Sequence, residues 1–248
     1  MLTKSQIKYI QSLSQKKFRQ ENGTFVAEGP KLAKELLVSP HIEVLGVYAL
    51  ESWLSENRDL TENAGEVTEI SPIELEKISG LKTNNQVVLV VKEPEFNFSK
   101  EMVKGKFSIL LDDIQDPGNL GTIIRTADWF GVETIIASQN TADAYNPKVV
   151  QSTMGSIARV KLIYTDLYSW ITNNSDIPVY AAVLTGKDIR EFKPVEEAAF
   201  LFGNESKGVG EGLIGMSEYQ LKIPSFGHAE SLNAAVAAGI VLSYFRLK

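Results

Sequence analysis

Residues 200–248, FLFGNESKGVGEGLIGMSEYQLKIPSFGHAESLNAAVAAGIVLSYFRLK, are the stretch of sequence that decides the predicted fold. An apolar run of the buried-strand type ends at Gly203-Asn204-Glu205, and a second predicted strand ends before Ile223-Pro224. Ser231-Leu232-Asn233 then starts a run of small and apolar residues that predicts a closing helix. Because α/β sheets form their binding sites at strand ends and helix starts, we expect the functional centre here.

Upstream of this stretch, predicted strands and helices alternate, which is the pattern of a mostly parallel sheet covered by helices on both faces. Strands at 107–111 and 132–137 flank a helix at 120–130 and form a βαβ unit. The later predicted elements are helix 148–156, strand 158–163, helix 167–173, strand 179–184, strand 198–202 and helix 231–247. The predicted fold class is therefore α/β.

The sequence before residue 92 predicts a smaller α/β unit. Its expected elements are helix 3–13, a polar link at 14–23, strand 24–27, helix 30–38, strand 44–50, a helix near Trp53, strand 67–70 and strand 86–91. Ser71-Pro-Ile-Glu74 has the spacing of a helix capping box. Residues 92–106 are irregular and contain Pro94 and Gly105, so they predict a linker. We expect two domains, at residues 1–95 and 105–248.

Composition excludes several classes of protein. No run of roughly 18 or more apolar residues occurs, so no membrane span is predicted. The absence of cysteine removes disulfides and thiolate metal sites, and the two histidines, His41 and His228, are too far apart in sequence to suggest a zinc site. The charged N-terminus lacks the apolar core of a signal peptide, so the cytosol is the expected compartment.

The charge distribution is uneven along the chain. The net charge of −6 argues against a nucleic-acid partner on average. Residues 1–34, however, have only Glu21 and Glu28 as acids against the basic side chains Lys4, Lys8, Lys16, Lys17, Arg19, Lys31 and Lys34. This basic stretch is either a solvated face or a source of phosphate contacts.

Familiar catalytic motifs are missing. The sequence has no G-x-x-x-x-G-K-[ST] motif, which excludes P-loop chemistry, and no G-x-S-x-G motif. Residues 208–212, GVGEG, do not match the G-x-G-x-x-G spacing of a dinucleotide site. His228 is the only histidine of the second predicted domain, so no Ser-His-Asp triad is indicated.

Three polar segments remain as candidates, and each has a plain structural interpretation. Asn119 fits a helix N-cap, and Arg125, about 1.7 helical turns later, fits a surface ion pair. Gly203 would let a ligand approach the backbone, and Glu205 is either a loop charge or an oriented carboxylate. In the third segment, the plain interpretation makes Ser231 the N-cap of the last helix and leaves the Asn233 side chain solvated.

Together and in this order, the segments resemble the SpoU (TrmH-like) branch of the SPOUT RNA methyltransferases. The resemblance covers residues 107–248 and rests on DPGNLGTIIRTA at 116–127, FGNE at 202–205, Ile223-Pro224 and SLN at 231–233, with NPKVV at 146–150 between them. The N-terminal unit is similar to the L30e-like substrate-binding domain through residues 17–29. Ser225 and Gln151 depart from the family, in which methionine and arginine are common at these positions.

This resemblance implies a trefoil knot in the C-terminal domain and an activity. The family transfers a methyl group from S-adenosylmethionine to a ribose 2′-hydroxyl of structured RNA, and it usually acts as a homodimer. The resemblance implies that Gly203, Ile223 and Leu232 hold the methyl donor. It also assigns the activation of the hydroxyl to Arg125; because a guanidinium stays protonated, we expect a fixed cation rather than a base.

The remaining motif residues complete the expected catalytic set. Glu205 is expected to orient Arg125 or to receive the proton, while Asn119, Ser231 and Asn233 position the ribose and the loops. The expected substrate is a guanosine in 23S ribosomal RNA, and no metal is required. The alternatives are a transfer RNA ribose methyltransferase, a non-catalytic RNA-binding or ribosome-assembly factor and, more distantly, a nicotinamide-dependent oxidoreductase.

Overall fold

Four strands form the first sheet in the computed structural model of the protein, which describes residues 1–81 and 85–247. They are β1 (Thr24–Glu28), β2 (Val44–Ala49), β3 (Glu66–Glu69) and β4 (Val87–Lys92), in the order β1-β4-β2-β3. β4 is antiparallel to β1 and β2, whereas β2 and β3 are parallel. Every residue of β1, and every residue of β4 except Lys92, is buried, so these two strands lie in the core of this unit.

The helices of the N-terminal region are α1 (Lys4–Ser12), α2 (Lys16–Asn22), α3 (Pro30–Leu37), α4 (Glu51–Glu56), α5 (Arg58–Thr61) and α6 (Pro72–Ile78). Of these, α1, α3, α4 and α6 lie where the sequence predicts, whereas α2 and α5 were not predicted. The capping box predicted at Ser71 is confirmed, because its hydroxyl accepts from the Glu74 amide while the Glu74 carboxylate accepts from the Ser71 amide.

The polar link predicted at residues 14–23 is wrong, since this segment contains α2. The helix ends at Gly23, whose φ of 61° gives the left-handed conformation that glycine adopts without strain. A buried residue of α2 is Arg19, a charged side chain, so no apolar periodicity marked the helix in the sequence.

A second sheet of six strands carries the C-terminal part of the chain. Its strands are β5 (Phe107–Asp112), β6 (Thr134–Ala137), β7 (Lys161–Tyr164), β8 (Val179–Asp188), β9 (Ala198–Gly203) and β10 (Tyr219–Lys222). They lie in the order β10-β8-β9-β5-β6-β7, and every neighbouring pair is parallel. The predicted α/β class with a parallel sheet is confirmed. Within the described ranges, none of the helices has the length and apolar character that crossing a membrane requires.

Five further helices follow the first sheet in sequence. They are α7 (Pro117–Trp129), α8 (Pro147–Thr153), α9 (Leu167–Asn173), α10 (Glu211–Met216) and α11 (Ala234–Leu247). The prediction missed α10, which is short and rich in glycine. It also started the last helix too early, because α11 begins at Ala234 rather than at Ser231.

The chain divides into two compact units that are not continuous in sequence. Unit 1 comprises Met1–Glu95 and Asp143–Arg159, and unit 2 comprises Phe96–Ala142 and Val160–Lys248. The 143–159 segment therefore belongs with the N-terminal residues. In unit 1 the Tyr145 ring stacks on Phe25, with ring centroids 4.7 Å apart, and α8 packs against β1.

Two predictions within this segment are wrong in their bounds. The helix ends at Thr153, because Met154 and Gly155 have φ values of 53° and 102° and cannot continue it. Residues 156–158 then form a 3₁₀ turn, so the strand expected from residue 158 begins only at Lys161.

Apolar side chains from both faces of the second sheet form the core of unit 2. The strand residues Leu110, Ala181 and Leu201 are fully buried, and Trp170 of α9 packs in the same cluster. An aromatic group formed by Tyr180, Phe192, Phe200, Tyr219 and Phe245 joins α11 to the sheet. This packing anchors the C-terminal part of α11 to the sheet.

Candidate active site

The carboxyl ends of the parallel strands bring the polar motifs to one edge of the unit 2 sheet. β5 and β9 end side by side, with Asp112 in register with Gly203. β10 runs in the same direction, so Ile223 leaves the sheet at that edge too. This is where parallel α/β sheets form their binding sites.

The start of α7 differs from the prediction. Asp116, rather than Asn119, is the N-cap, and its Oδ1 accepts a hydrogen bond of 2.8 Å from the Asn119 amide. Pro117 occupies the first helical position, where its missing N–H costs no helical hydrogen bond. Asn119 is therefore the third residue of the helix, and its side chain is free to serve the site.

Asn119 joins the other two motifs through hydrogen bonds at both ends of its amide. Its Nδ2 donates to Glu205 Oε1, and its Oδ1 accepts from Asn233 Nδ2 at 2.8 Å. We call Asn119, Glu205 and Asn233 the edge cluster. The three residues are distant in sequence, so the fold itself assembles the cluster.

Asn233 also caps the last helix. Its Oδ1 accepts from the Ala235 and Val236 amides at 3.0 and 3.3 Å. The plain interpretation is therefore wrong in making Ser231 the cap; Asn233 is exposed, as that interpretation expects, but it caps the helix. Ser231 is exposed and lies two residues ahead of the cap, next to the edge cluster in sequence.

Arg125 lies on the exposed side of α7, in a groove between α7 and α11. Trp129 lines the same groove from α7, and Val236, Ile240 and Tyr244 line it from α11. In the part of the chain that the structure describes, no ion pair of Arg125 is present, so its charge is available to a ligand. Glu205 bonds to Asn119 instead of orienting Arg125.

A tight loop follows Gly203. A Cβ at this position would lie 2.2 Å from the Gly208 carbonyl carbon, so only glycine lets the loop fold back over the strand end. Asn204 and Gly208 form an isolated β-bridge that closes the loop. The loop presents Glu205 to Asn119.

Asn204 and Asp113 link this loop to the end of β5, a role that the sequence did not predict for either residue. Asn204 is 9% exposed, and its Nδ2 donates to the Asp113 carbonyl at 2.8 Å. Asp113 has a φ of 58°, which is unusual for a residue with a side chain. The signal in the sequence that could have indicated this link is an asparagine placed just after a predicted buried strand.

The residues expected to hold the methyl donor belong to segments at the same edge. Gly203 and Ile223 are half-buried, and Leu232 is 46% exposed. Uncovered apolar side chains beside strand ends suit a flat, apolar ring such as adenine, and the half-buried backbone supplies polar partners. The residues present therefore fit S-adenosylmethionine.

Comparison with known proteins agrees with this geometry. The SpoU rRNA Methylase family profile matches residues 106–243, and the MRM3-like substrate binding domain profile matches residues 4–89. The chain is 32% identical over 243 residues to the 23S rRNA (guanosine(2553)-2′-O)-methyltransferase RlmP of Bacillus subtilis (strain 168). The aligned region spans 97% of this chain and 95% of the relative.

Among the solved structures that match the whole chain are two RNA methyltransferases. One is a TrmH-family RNA methyltransferase from Porphyromonas gingivalis, described as putative, with a TM-score of 0.89, 33% identity, and coverage of 100% and 99% of the two chains. The other is an AdoMet-bound rRNA methyltransferase from Sinorhizobium meliloti, with a TM-score of 0.88, 30% identity, and coverage of 100% and 96%. The resemblance inferred from the motifs is confirmed, and the chain belongs to the SpoU rRNA methylase family.

Proposed function

We propose that this protein transfers a methyl group from S-adenosylmethionine to the 2′-hydroxyl of a guanosine ribose in 23S ribosomal RNA. The observation that carries the proposal is the edge cluster, in which Asn119 joins Glu205 and Asn233 at the carboxyl edge of the sheet. The similarity to RlmP, which covers almost the whole of both chains, supports the substrate.

The proposed cofactor residues are Gly203, Ile223 and Leu232. S-adenosylmethionine supplies an activated methyl group bonded to a sulfonium sulfur. Ile223 and Leu232 supply apolar surface, and the loop that folds back over Gly203 supplies backbone groups. The trefoil knot expected of the family is part of this proposal.

The catalytic residues divide the work between charge and position. The ribose hydroxyl must lose its proton during the reaction, and a carboxylate can accept a proton whereas a guanidinium cannot. We assign proton acceptance to Glu205, which Asn119 holds by a hydrogen bond. Arg125 is a fixed cation that binds an RNA phosphate and stabilises negative charge on the ribose oxygen, and Ser231 contacts the ribose.

The N-terminal part of unit 1 supplies the proposed RNA contacts, and we assign residues 1–95 to substrate binding and 105–248 to methyl transfer. Lys4, Lys8, Lys16, Lys31 and Lys34 are all exposed in unit 1. Exposed lysines suit phosphate contacts, which fix the position of RNA without reading its sequence.

Arg19 does not belong to this basic surface, although the sequence placed it there. It is 1% exposed and forms an ion pair with Asp143 at 2.5 Å.

A homodimer is the proposed assembly, with the α7 and α11 face of unit 2 as the interface. Trp129 is 85% exposed there, and Val236 and Ile240 are 50% and 38% exposed. Contiguous exposed apolar side chains of this kind mark protein interfaces. Because Arg125 lies in the same groove, a second copy would enclose the proposed catalytic cation. Sedimentation analysis should give twice the chain mass.

The test of the function is a map of ribose methylation in total RNA from cells with and without the gene. We expect the deletion to remove one 2′-O-methylguanosine from 23S ribosomal RNA and to leave transfer RNA unchanged. Loss of a transfer RNA modification would favour the alternative enzyme. Unchanged RNA, together with no calorimetric binding of S-adenosylmethionine, would favour a non-catalytic factor.

A further inference from the structure

We infer that Asn204 is a positioning residue that sets the geometry between Glu205 and Asn119. The inference rests on the proposed function, in which these two residues belong to the catalytic site. Asn204 is nearly buried, at 9% exposed, and both ends of its side-chain amide bond within the protein.

Each end of the Asn204 amide has a different task. Its Oδ1 accepts from the Ser206 and Lys207 amides at 2.8 and 3.2 Å, which shapes the loop that carries Glu205. Its Nδ2 donates across to the Asp113 carbonyl at 2.8 Å. The acceptor end therefore acts inside one loop, whereas the donor end connects two segments.

The donor end holds a strained turn. The φ of 58° at Asp113 is sterically unfavourable for a residue with a Cβ, so its surroundings must maintain it. The Asp113 amide donates to Ser138 Oγ at 2.9 Å, and its carbonyl accepts from Asn204. Both sides of the turn are thus fixed by side chains.

This turn leads directly to the proposed catalytic helix. Asp116, three residues beyond Asp113, is the N-cap of α7 and bonds to the Asn119 amide. Asn204 also directly precedes Glu205 in the chain. One side chain therefore ties both partners of the bond between Asn119 and Glu205, and losing its donor should let them separate.

The test separates the two ends of the amide. Asn204→Asp keeps the acceptor for the loop amides and replaces the donor with an oxygen that faces the Asp113 carbonyl. We expect kcat to fall by about 10–100-fold, because small displacements of catalytic groups have effects of this size. The calorimetric Kd for S-adenosylmethionine and the KM for RNA should change less than about threefold, since Gly203 and the RNA surface are retained.

Asn174→Asp is the matched control. Asn174 is also buried in unit 2, and its Nδ2 donates to the Trp170 carbonyl at 2.8 Å, but it follows α9 near the amino edge of the sheet. This variant should lower the melting temperature without lowering kcat in the folded enzyme. Wild-type kcat in Asn204→Asp would overturn the inference. A Kd for S-adenosylmethionine that rises in proportion to the lost kcat would also overturn it, because Asn204 would then merely shape the cofactor loop.

Asn119→Ala separates this inference from the proposed function. If that variant keeps full activity, the proposed catalytic site is wrong whatever Asn204 does. If it loses activity while Asn204→Asp keeps it, the site stands and only the positioning role fails.

Discussion

The two units each contain a cluster of polar side chains joined across long sequence distances, but the clusters differ in exposure and charge. The edge cluster of unit 2 is reached by solvent, since Asn233 is exposed and Glu205 is half-buried. In unit 1, the buried Arg19 donates to the half-buried Asp143 and to the Leu13 and Ser14 carbonyls. The half-buried Glu93 is close enough for both charges to affect its pKa, and we call Arg19, Asp143 and Glu93 the interior cluster.

The difference shows what each cluster can do. The carboxylate of Glu205 is held by a neutral amide, so its charge remains available for chemistry. In the interior cluster, the charges of Arg19 and Asp143 pair with each other, which fastens the 143–159 segment to the rest of unit 1. Similar side chains therefore serve the proposed reaction in one unit and hold a segment in place in the other, and substitutions should separate the two roles.

The largest effect is expected at Glu205. Glu205→Gln keeps an oxygen for Asn119 but removes the proton acceptor, so kcat should fall by about 10²–10⁴-fold, the usual contribution of a general base. Methyl transfer to RNA from labelled S-adenosylmethionine measures this. An unchanged melting temperature would confirm that the loss is chemical. Activity close to wild type would remove Glu205 from the mechanism.

The interior cluster should respond in stability instead. Arg19→Met leaves Asp143 without its partner and two carbonyls without their donor, which should cost about 3–5 kcal/mol of the free energy of unfolding. Urea denaturation measures the change. Lys92→Met is the control, because it removes an exposed pair with Glu43 and should barely alter stability. Equal losses of unfolding free energy in the two variants would show that burial of the Arg19–Asp143 pair does not increase its contribution to stability.

Arg125→Lys tests the shape of the proposed catalytic cation. Lysine keeps the charge but loses the two-pronged guanidinium geometry, so kcat should fall by about 10²-fold. The assay is repeated across a pH series. Near-full activity at every pH would show that a point charge suffices and would contradict the two-pronged contact.

The smallest effect is expected from Glu93. Burial, and then the Asp143 charge, raise the pKa of Glu93 from 4.5 to about 7, while Arg19 opposes the rise. Between these values the folded protein holds a proton that the unfolded chain releases, so stability falls as pH rises from 4.5 to 7. Glu93→Gln should remove this fall and raise the melting temperature by a few degrees at pH 8 but not at pH 4. If the stability of the variant fell with rising pH as steeply as that of the wild type, Glu93 would not be the group responsible.

The sequence predicted what depends on local patterns. Apolar runs located β5 and β9, and the spacing of Ser71 and Glu74 located a helix start. Motif order also predicted that Asn119, Glu205 and Asn233 share a site, although the resemblance to a family carried that prediction.

What could not be predicted depends on contacts between distant residues. The 143–159 segment joins unit 1 through Arg19 and Phe25, which lie more than a hundred positions earlier, and no local pattern encodes such a choice. The N-cap of α7 was misassigned because both Asp116 and Asn119 are good caps, and only the observed hydrogen bond distinguishes them.

The central place of β5 in the second sheet has a consequence for synthesis of the chain on the ribosome. β6 is made soon after β5 and can pair with one side of it, but the other side is covered only by β9, where Phe107 pairs with Ala198. Until that residue has emerged, a growing chain exposes an apolar strand with unpaired amides and carbonyls. Such late pairing slows folding and favours aggregation, so nascent chains that stall before residue 198 should need chaperone protection.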